Sequence, residues 1–253
     1  MRANTAKQRM LEGKPAIGCG VVLGSFLAVE LLSQAGFDWV LVDCQHGQWD
    51  EETALHAMRA ISLGSATPMA RVRQNDFAAI GRLLDQGTLG IVVPLVNSAA
   101  EARAAAQAMR YPPHGGRSTG AFLARYQGDD YNERANDEVL LMVQIESATA
   151  VEHAAEILGV DGVDGCWIGP KDLARSMGVD VGTPDGRQAH ETAILSVLAA
   201  CRAAKKIPGI DGDGEKEARR WLGHGFQFVT TISDAGLLIN GGQAILDNLR
   251  RSA

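Results

Sequence analysis

The stretch Leu141–Asp172, LMVQIESATAVEHAAEILGVDGVDGCWIGPKD, carries the fold in miniature. Two short apolar runs, Leu140–Ile145 and Val163–Ile168, flank a segment with the apolar spacing of an amphipathic helix. Strand, helix and strand within roughly thirty residues predict a βαβ unit with a parallel crossover. Adjacent parallel strands bring their C-terminal ends side by side. Gln144 and Glu146 close the first run and Asp172 follows the second, so Glu146 and Asp172 are expected to face one another. Two hard carboxylates so placed suit an oxygen-seeking divalent cation. The other reading is that each acid caps the helix that follows it.

The same rhythm runs outward in both directions. Residues 1–15 are a polar lead-in helix or arm. Strand-like runs lie at Ile17–Leu23, Trp39–Val42, Pro68–Val72 and Gly90–Val96, and after the central pair at Pro208–Ile210 and Phe226–Ile232. Helical segments are expected at Leu27–Gln34, Glu51–Ile61, Phe77–Leu84, Ala99–Met109, Glu191–Lys205, Glu215–Leu222 and, as the closing helix, Leu237–Arg250. The strands are apolar almost throughout, as a sheet buried on both faces requires. Eight strand–helix units in 253 residues predict one (β/α)8 TIM barrel over residues 1–253. An open doubly wound sheet is the alternative, but Gly18-Cys19-Gly20 does not extend to the G-x-G-x-x-G turn that a dinucleotide site needs. Two connections are long, Tyr111–Glu138 and Gly178–Gln188. Both are placed on the C-terminal side of the barrel, the first as a lid or subunit contact.

Composition narrows the function. The chain is 46% hydrophobic and 21% charged, with a formal net charge of −6. That balance argues against a nucleic-acid groove or an anionic membrane surface. No apolar segment reaches the length of a membrane span. The first residues, MRANTAKQRMLEGKP, lack the apolar core of a signal peptide. Cys19, Cys44, Cys166 and Cys201 are scattered without C-x-x-C spacing. A cytoplasmic, disulfide-free protein is expected.

Barrel chemistry sits at the C-terminal ends of the strands. The polar groups expected on that rim are Asp43 and His46, Arg71 and Arg73, Gln144 and Glu146, Asp172, and Asp211 and Asp213. His46 titrates near neutrality and follows Asp43 by three residues, so it is either a base oriented by that acid or a surface-loop histidine. Arg71 ends a buried strand and needs an anion, which is either a core carboxylate or a substrate. Arg117, in the first long loop, either clamps a substrate carboxylate or is solvated. Asp85, late on a helix, is a salt-bridge or interface residue. None of the six lysines lies inside an expected strand, which disfavours an imine mechanism. Lys171 comes nearest, in a turn beside Asp172. The loops after the last two strands, Asp-Gly-Asp-Gly and Ser-Asp-Ala-Gly, carry acids that repel a phosphate.

Read together, AGFDWVLVDCQHG (35–47), ARVRQND (70–76), RLLDQGTLGIVVPLV (82–96), RYPPHGGR (110–117), VQIESATAV (143–151), VDGVDGCWIGPKDLARSMG (160–178) and PGI (208–210) resemble the HpcH/HpaI aldolases. These are the metal-dependent, class II pyruvate aldolases of the phosphoenolpyruvate/pyruvate barrel superfamily. The resemblance runs from about Ile17 to Leu249. It implies Glu146 and Asp172 as ligands of Mg²⁺, Mn²⁺ or Co²⁺, and His46 as acid/base with Asp43 in support. It implies that Arg71 holds the keto oxygen and that Gln144 sits beside the metal, touching water or substrate. Asp85 would reach a neighbouring subunit's site in a homo-oligomer, with a hexamer favoured.

The implied reaction cleaves a 4-hydroxy-2-oxo acid to pyruvate and an aldehyde through the pyruvate enolate. Three positions depart from the family pattern: Cys44-Gln45 stands where Gly-Glu is usual, Gly20 replaces an aromatic residue, and Ser-Thr-Gly-Ala-Phe-Leu follows Arg117. They bear on the environment of His46 and on the aldehyde, and leave the metal and enolate machinery standing. The rival expectations are a related metal-enolate lyase, such as an oxaloacetate-type decarboxylase, and a catalytically idle barrel.

Overall fold

Side chains that alternate along each strand decide the architecture. Trp39 and Leu41 on β2 (Trp39–Asp43), and Leu140 and Met142 on β5 (Leu140–Ile145), join one apolar cluster, while Val40, Val42, Leu141 and Val143 join another. The computed structural model describes residues 1–251 apart from 122 and 124–126. In it, β1 (Ala16–Val21), β2, β3 (Thr67–Arg71), β4 (Gly90–Val93), β5, β6 (Gly165–Ile168), β7 (Ile207–Asp211) and β8 (Phe228–Ser233) form a closed barrel in chain order. Every neighbouring pair is parallel. The smaller cluster fills the barrel. The larger one lies between the strands and the helices around them.

Those helices include α2 (Phe26–Gln34), α3 (Glu51–Ile61), α4 (Phe77–Asp85) and α5 (Ala99–Met109). After α6 (Tyr131–Glu138) and β5, the crossover helix of the central stretch is broken at His153 into α7 (Ala148–Glu152) and α8 (Ala154–Leu158). Then come α9 (Pro170–Met177), α10 (Pro184–Ala203) and α11 (Glu215–His224). Each of α2, α3, α4 and α5 opens on a Ser or Asp whose side chain accepts a backbone N–H of the first turn. α10 begins earlier than its apolar spacing indicates, because Thr183 caps it and Pro184 occupies its first turn.

The polar lead-in is a plug. In α1 (Thr5–Leu11), Ala6 and Met10 enter the interior cluster, under Trp39 and Phe228 stacked at 4.0 Å. Asn4 seals that end by donating to the carbonyls of Leu89 and Glu138. Gly18 is fixed by the same layer, since a Cβ there would lie 2.1 Å from the Trp39 ring.

Two expectations change. The Tyr111–Glu138 connection follows α5 and leads into β5, so it lies at the N-terminal end of the barrel, away from the strand ends that carry chemistry. It is no lid over its own barrel. Residues 122 and 124–126 of that connection, including part of the departure after Arg117, fall outside the described residues. The closing helix, α12 (Asp234–Arg251), starts earlier than expected and does not close the layer: only Asp234 is buried, and Leu237–Arg251 is exposed throughout.

Candidate active site

Inward-facing positions at the top of the barrel bring the polar residues together. Asp43 and Arg71 are register partners on β2 and β3. Arg71 donates from Nε to Asp43 Oδ1 at 2.9 Å and from Nη2 to Oδ2 at 2.5 Å. Its guanidinium also lies over the Trp167 ring, 5.3 Å from the centroid, and Nη1 approaches Gln144 Oε1 at 3.5 Å. The core-carboxylate reading of Arg71 therefore holds, and the anion is Asp43.

Asp43 supports His46 differently from the expectation. Its Oδ1 accepts the backbone N–H groups of Gln45 and His46, at 3.1 and 3.3 Å, and shapes the turn that leaves β2. It makes no hydrogen bond to the imidazole. The His46 ring is exposed on that turn and has no protein partner among the described residues.

Glu146 follows β5 and is 4% exposed. Its Oε1 accepts the Leu95 N–H at 2.9 Å, and its Oε2 accepts Nε2 of the buried Gln144. Leu95 holds that N–H in place with a left-handed backbone, φ 56°, which costs a leucine on the order of 1–2 kcal/mol. Gly169, after β6, lets the carboxylate approach: a Cβ there would sit 3.0 Å from both Glu146 Oε2 and Gln144 Nε2. Burial raises the Glu146 pKa above the usual carboxylate value, and the charge of Asp172 raises it further; the Leu95 N–H and the more distant Arg71 oppose the shift.

This donor set fits a dication. Two carboxylates repel each other and have no bonded cationic side chain among the described residues, the Arg71 guanidinium fork being taken by Asp43. Asp172 is exposed, in the first turn of α9, and has no side-chain partner among the described residues. Among the described residues no group of three or more His, Cys, Asp or Glu is placed to hold a metal ion, so an ion beside Glu146 and Asp172 would draw no third such ligand from the described chain. Mg²⁺-like ions accept such a pair and complete their shell with water or substrate oxygens.

The remaining expected residues lie elsewhere. Arg117 is 3% exposed, donates to Asp85 Oδ1 at 2.7 Å and to the Tyr131 hydroxyl at 3.0 Å, and stacks over Tyr111. It is therefore neither solvated nor a clamp in its own barrel. Asp85 ends α4, so this pair occupies the opposite end from Glu146. Lys171 is exposed and bound to Asp213 at 2.9 Å, which agrees with the rejection of an imine amine. Sequence reasoning overlooked Leu95, whose role is a backbone angle, and Trp167. The parity of strand positions was the available signal for Trp167, since it lies beside Gln144 in register.

A family model described as HpcH/HpaI aldolase/citrate lyase matches residues 22–241. The chain belongs to that family. It is 39% identical over 246 residues to a Salmonella dublin protein named 4-hydroxy-2-oxo-heptane-1,7-dioate aldolase, covering 96% of this chain and 93% of that one. Among solved structures, an HpcH/HpaI aldolase/citrate lyase family protein from Burkholderia cenocepacia J2315 superimposes with a TM-score of 0.90 at 31% identity, covering 98% of this chain and 99% of that one. An HpcH/HpaI aldolase from Desulfitobacterium hafniense DCB-2 gives a TM-score of 0.87 at 26% identity over 96% of each chain. The family's barrel is the fold described above.

Proposed function

We propose that this chain is a metal-dependent aldolase that cleaves a 4-hydroxy-2-oxo acid to pyruvate and an aldehyde, and runs the reverse addition. The observation that carries this reading is that the Asp172 charge reaches Glu146 and raises its pKa while neither acid has a bonded cationic side chain among the described residues, next to an arginine already fixed by Asp43. Glu146 and Asp172 hold Mg²⁺, Mn²⁺ or Co²⁺. When bound, the ion polarises the keto group and offsets enolate charge.

The chain's own residues do the rest. Asp43 and Trp167 fix the Arg71 guanidinium, whose unused N–H donors face the cavity and stabilise the enolate oxygen. Gln144 orients Glu146 and contacts water or substrate beside it. His46, directly or through a water, takes the proton from the 4-hydroxyl. The C3–C4 bond then breaks, its electron pair passes into the enolate, the aldehyde departs, and a proton taken up at C3 of the enolate gives pyruvate. In the reverse direction the same imidazole returns the proton.

A homo-oligomer accompanies this reading. In one chain α12 exposes Leu238, Ile239, Ile245 and Leu249, and α2 exposes Phe26, Leu27 and Leu31, the last by 73%. Apolar patches of this extent mark interaction surfaces. A hexamer is the state that the family resemblance favours, and it would let Asp85 and Arg117 approach a neighbouring barrel's site. Exchange of the pyruvate methyl protons in D₂O tests the function without knowledge of the aldehyde. Exchange that depends on added Mg²⁺, Mn²⁺ or Co²⁺ and stops with chelator is expected; its absence with all three ions sinks the reading.

A further inference from the structure

One wall of the barrel mouth takes no part in enolate formation. Gly20, Lys171, Asp211, Asp213, Ser233 and Asn240 line the same cavity of about 380 Å³ as Asp43 and Arg71. A Cβ at Gly20 would meet nothing within 4 Å, so the β1 side is open space rather than a packed surface. Arg71 divides the mouth, with Gln144 and Glu146 on one side and this wall on the other. A 2-oxo acid held at Glu146 and Asp172 would have this cavity beside it, across Arg71 and Lys171, as room for the remainder of its chain.

The chemistry of that side is specific. Lys171 Nζ lies 2.9 Å from Asp213 Oδ2, so its charge is already matched. Asp211 points inward from the end of β7, with Arg71 and Lys171 near enough to influence it but with no ion pair of its own among the described residues. The formal charge of the three residues is −1. A carboxylate on the incoming aldehyde would meet an unmatched acid, Asp211, at the edge of the cavity. Hydroxyl groups would instead find an acceptor in Asp211 and partners in Ser233 and Asn240.

We propose that Asp211, with the Lys171–Asp213 pair beside it, selects a neutral, hydroxyl-bearing aldehyde as the second half of the substrate and rejects one that carries a carboxylate. This rests on the aldolase reading and names the substrate class of the same site. Discrimination of this kind is a difference of affinities built partly on repulsion.

The test follows aldol addition by the full chain with pyruvate and Mn²⁺ to glyceraldehyde, propanal and 4-oxobutanoate, with pyruvate methyl exchange recorded on the same preparation. The expected kcat/KM for glyceraldehyde is at least tenfold above that for either other aldehyde. Asp211→Asn removes the charge, keeps a hydrogen-bonding group and narrows the gap to 4-oxobutanoate at least fivefold, mainly through KM. Asp211→Leu costs glyceraldehyde at least tenfold; Asp213→Asn is the second charge-removing variant should the leucine variant fail to fold. If 4-oxobutanoate is used as well as glyceraldehyde, or the gap stays fixed in the folded variants while exchange persists, the inference is overturned and the aldolase reading stands. Absence of exchange in the unaltered chain overturns both.

Discussion

Arg71 and Asp43 form a two-point ion pair, Nε to Oδ1 at 2.9 Å and Nη2 to Oδ2 at 2.5 Å, between neighbouring strands in register. The fork geometry fixes the guanidinium plane while Trp167 lies against its face. Removing one partner strands the other. Arg71→Ala is expected to lower kcat/KM by ~10²–10³-fold, as loss of one oxyanion donor does. It should also lower stability by about 3 kcal/mol, because the Asp43 carboxylate is left buried and unmatched. Arg71→Lys should not restore activity, since an ammonium cannot span both oxygens. Steady-state kinetics and denaturant melts check this; wild-type kcat/KM in the lysine variant would defeat the argument.

Metal affinity should follow the ionisation of Glu146. A cation binds the carboxylate and competes with its proton. Burial and Asp172 raise the Glu146 pKa, so the rise in Tm caused by Mn²⁺ is expected to fade as the pH falls through that elevated value. At a hundredfold excess over Kd the ion would contribute about 2.7 kcal/mol. Glu146→Gln and Asp172→Asn should each abolish the Mn²⁺-dependent rise, measured by calorimetry from pH 5 to 8. A full rise in either variant would remove that residue from the ligand set.

Asp211 gives a separate pH signature. Its folded-state pKa is raised, first by burial and then by Asp213. The folded protein therefore holds this proton more tightly than the unfolded chain does. Its stabilising contribution is complete below the unfolded value of about 3.9 and is lost as pH rises through the folded value. Asp211→Asn, which cannot ionise, should melt higher than the parent at pH 8, with the difference shrinking toward pH 4. A difference independent of pH would count against the shift.

The thiols should be inert in the folded state. Burial pushes the Cys19 and Cys44 thiols up to about 12, so the reactive thiolate is scarce at neutral pH. Cys166 and Cys201 are also buried and free, with sulfurs 3.3 Å apart. A chromogenic disulfide reagent should label all four only after denaturation. Rapid labelling of the native chain would show that the strand–helix layer opens.

The exposed face of α12 should matter to assembly rather than to barrel folding. Ile245→Glu together with Leu238→Glu places charges on that face. Sedimentation should show smaller particles while the far-ultraviolet circular dichroism stays that of a folded barrel. An unchanged sedimentation coefficient would take α12 out of the interface.

Much was legible before any coordinates. Continuous apolar runs alternating with amphipathic segments specify parallel strands covered by helices, and eight such units specify closure. Strand ends also placed Asp43, Arg71, Glu146, Asp172 and Asp211 on one rim, because every parallel strand delivers its last residues to the same end. Loop length alone does not say which end a connection occupies: the Tyr111–Glu138 connection follows a helix and so returns to the N-terminal face.

The sequence by itself determined the barrel and its rim, since periodicity and strand polarity are local properties of the chain. Only the tertiary structure decided which charges neutralise one another. Asp43 turned to Arg71 rather than to the His46 ring, Arg117 turned to Asp85, and Glu146 and Asp172 were left near enough to repel, with no bonded cationic side chain among the described residues. Such pairings depend on distances across strands and on what burial does to a charge, and neither is written in the order of residues.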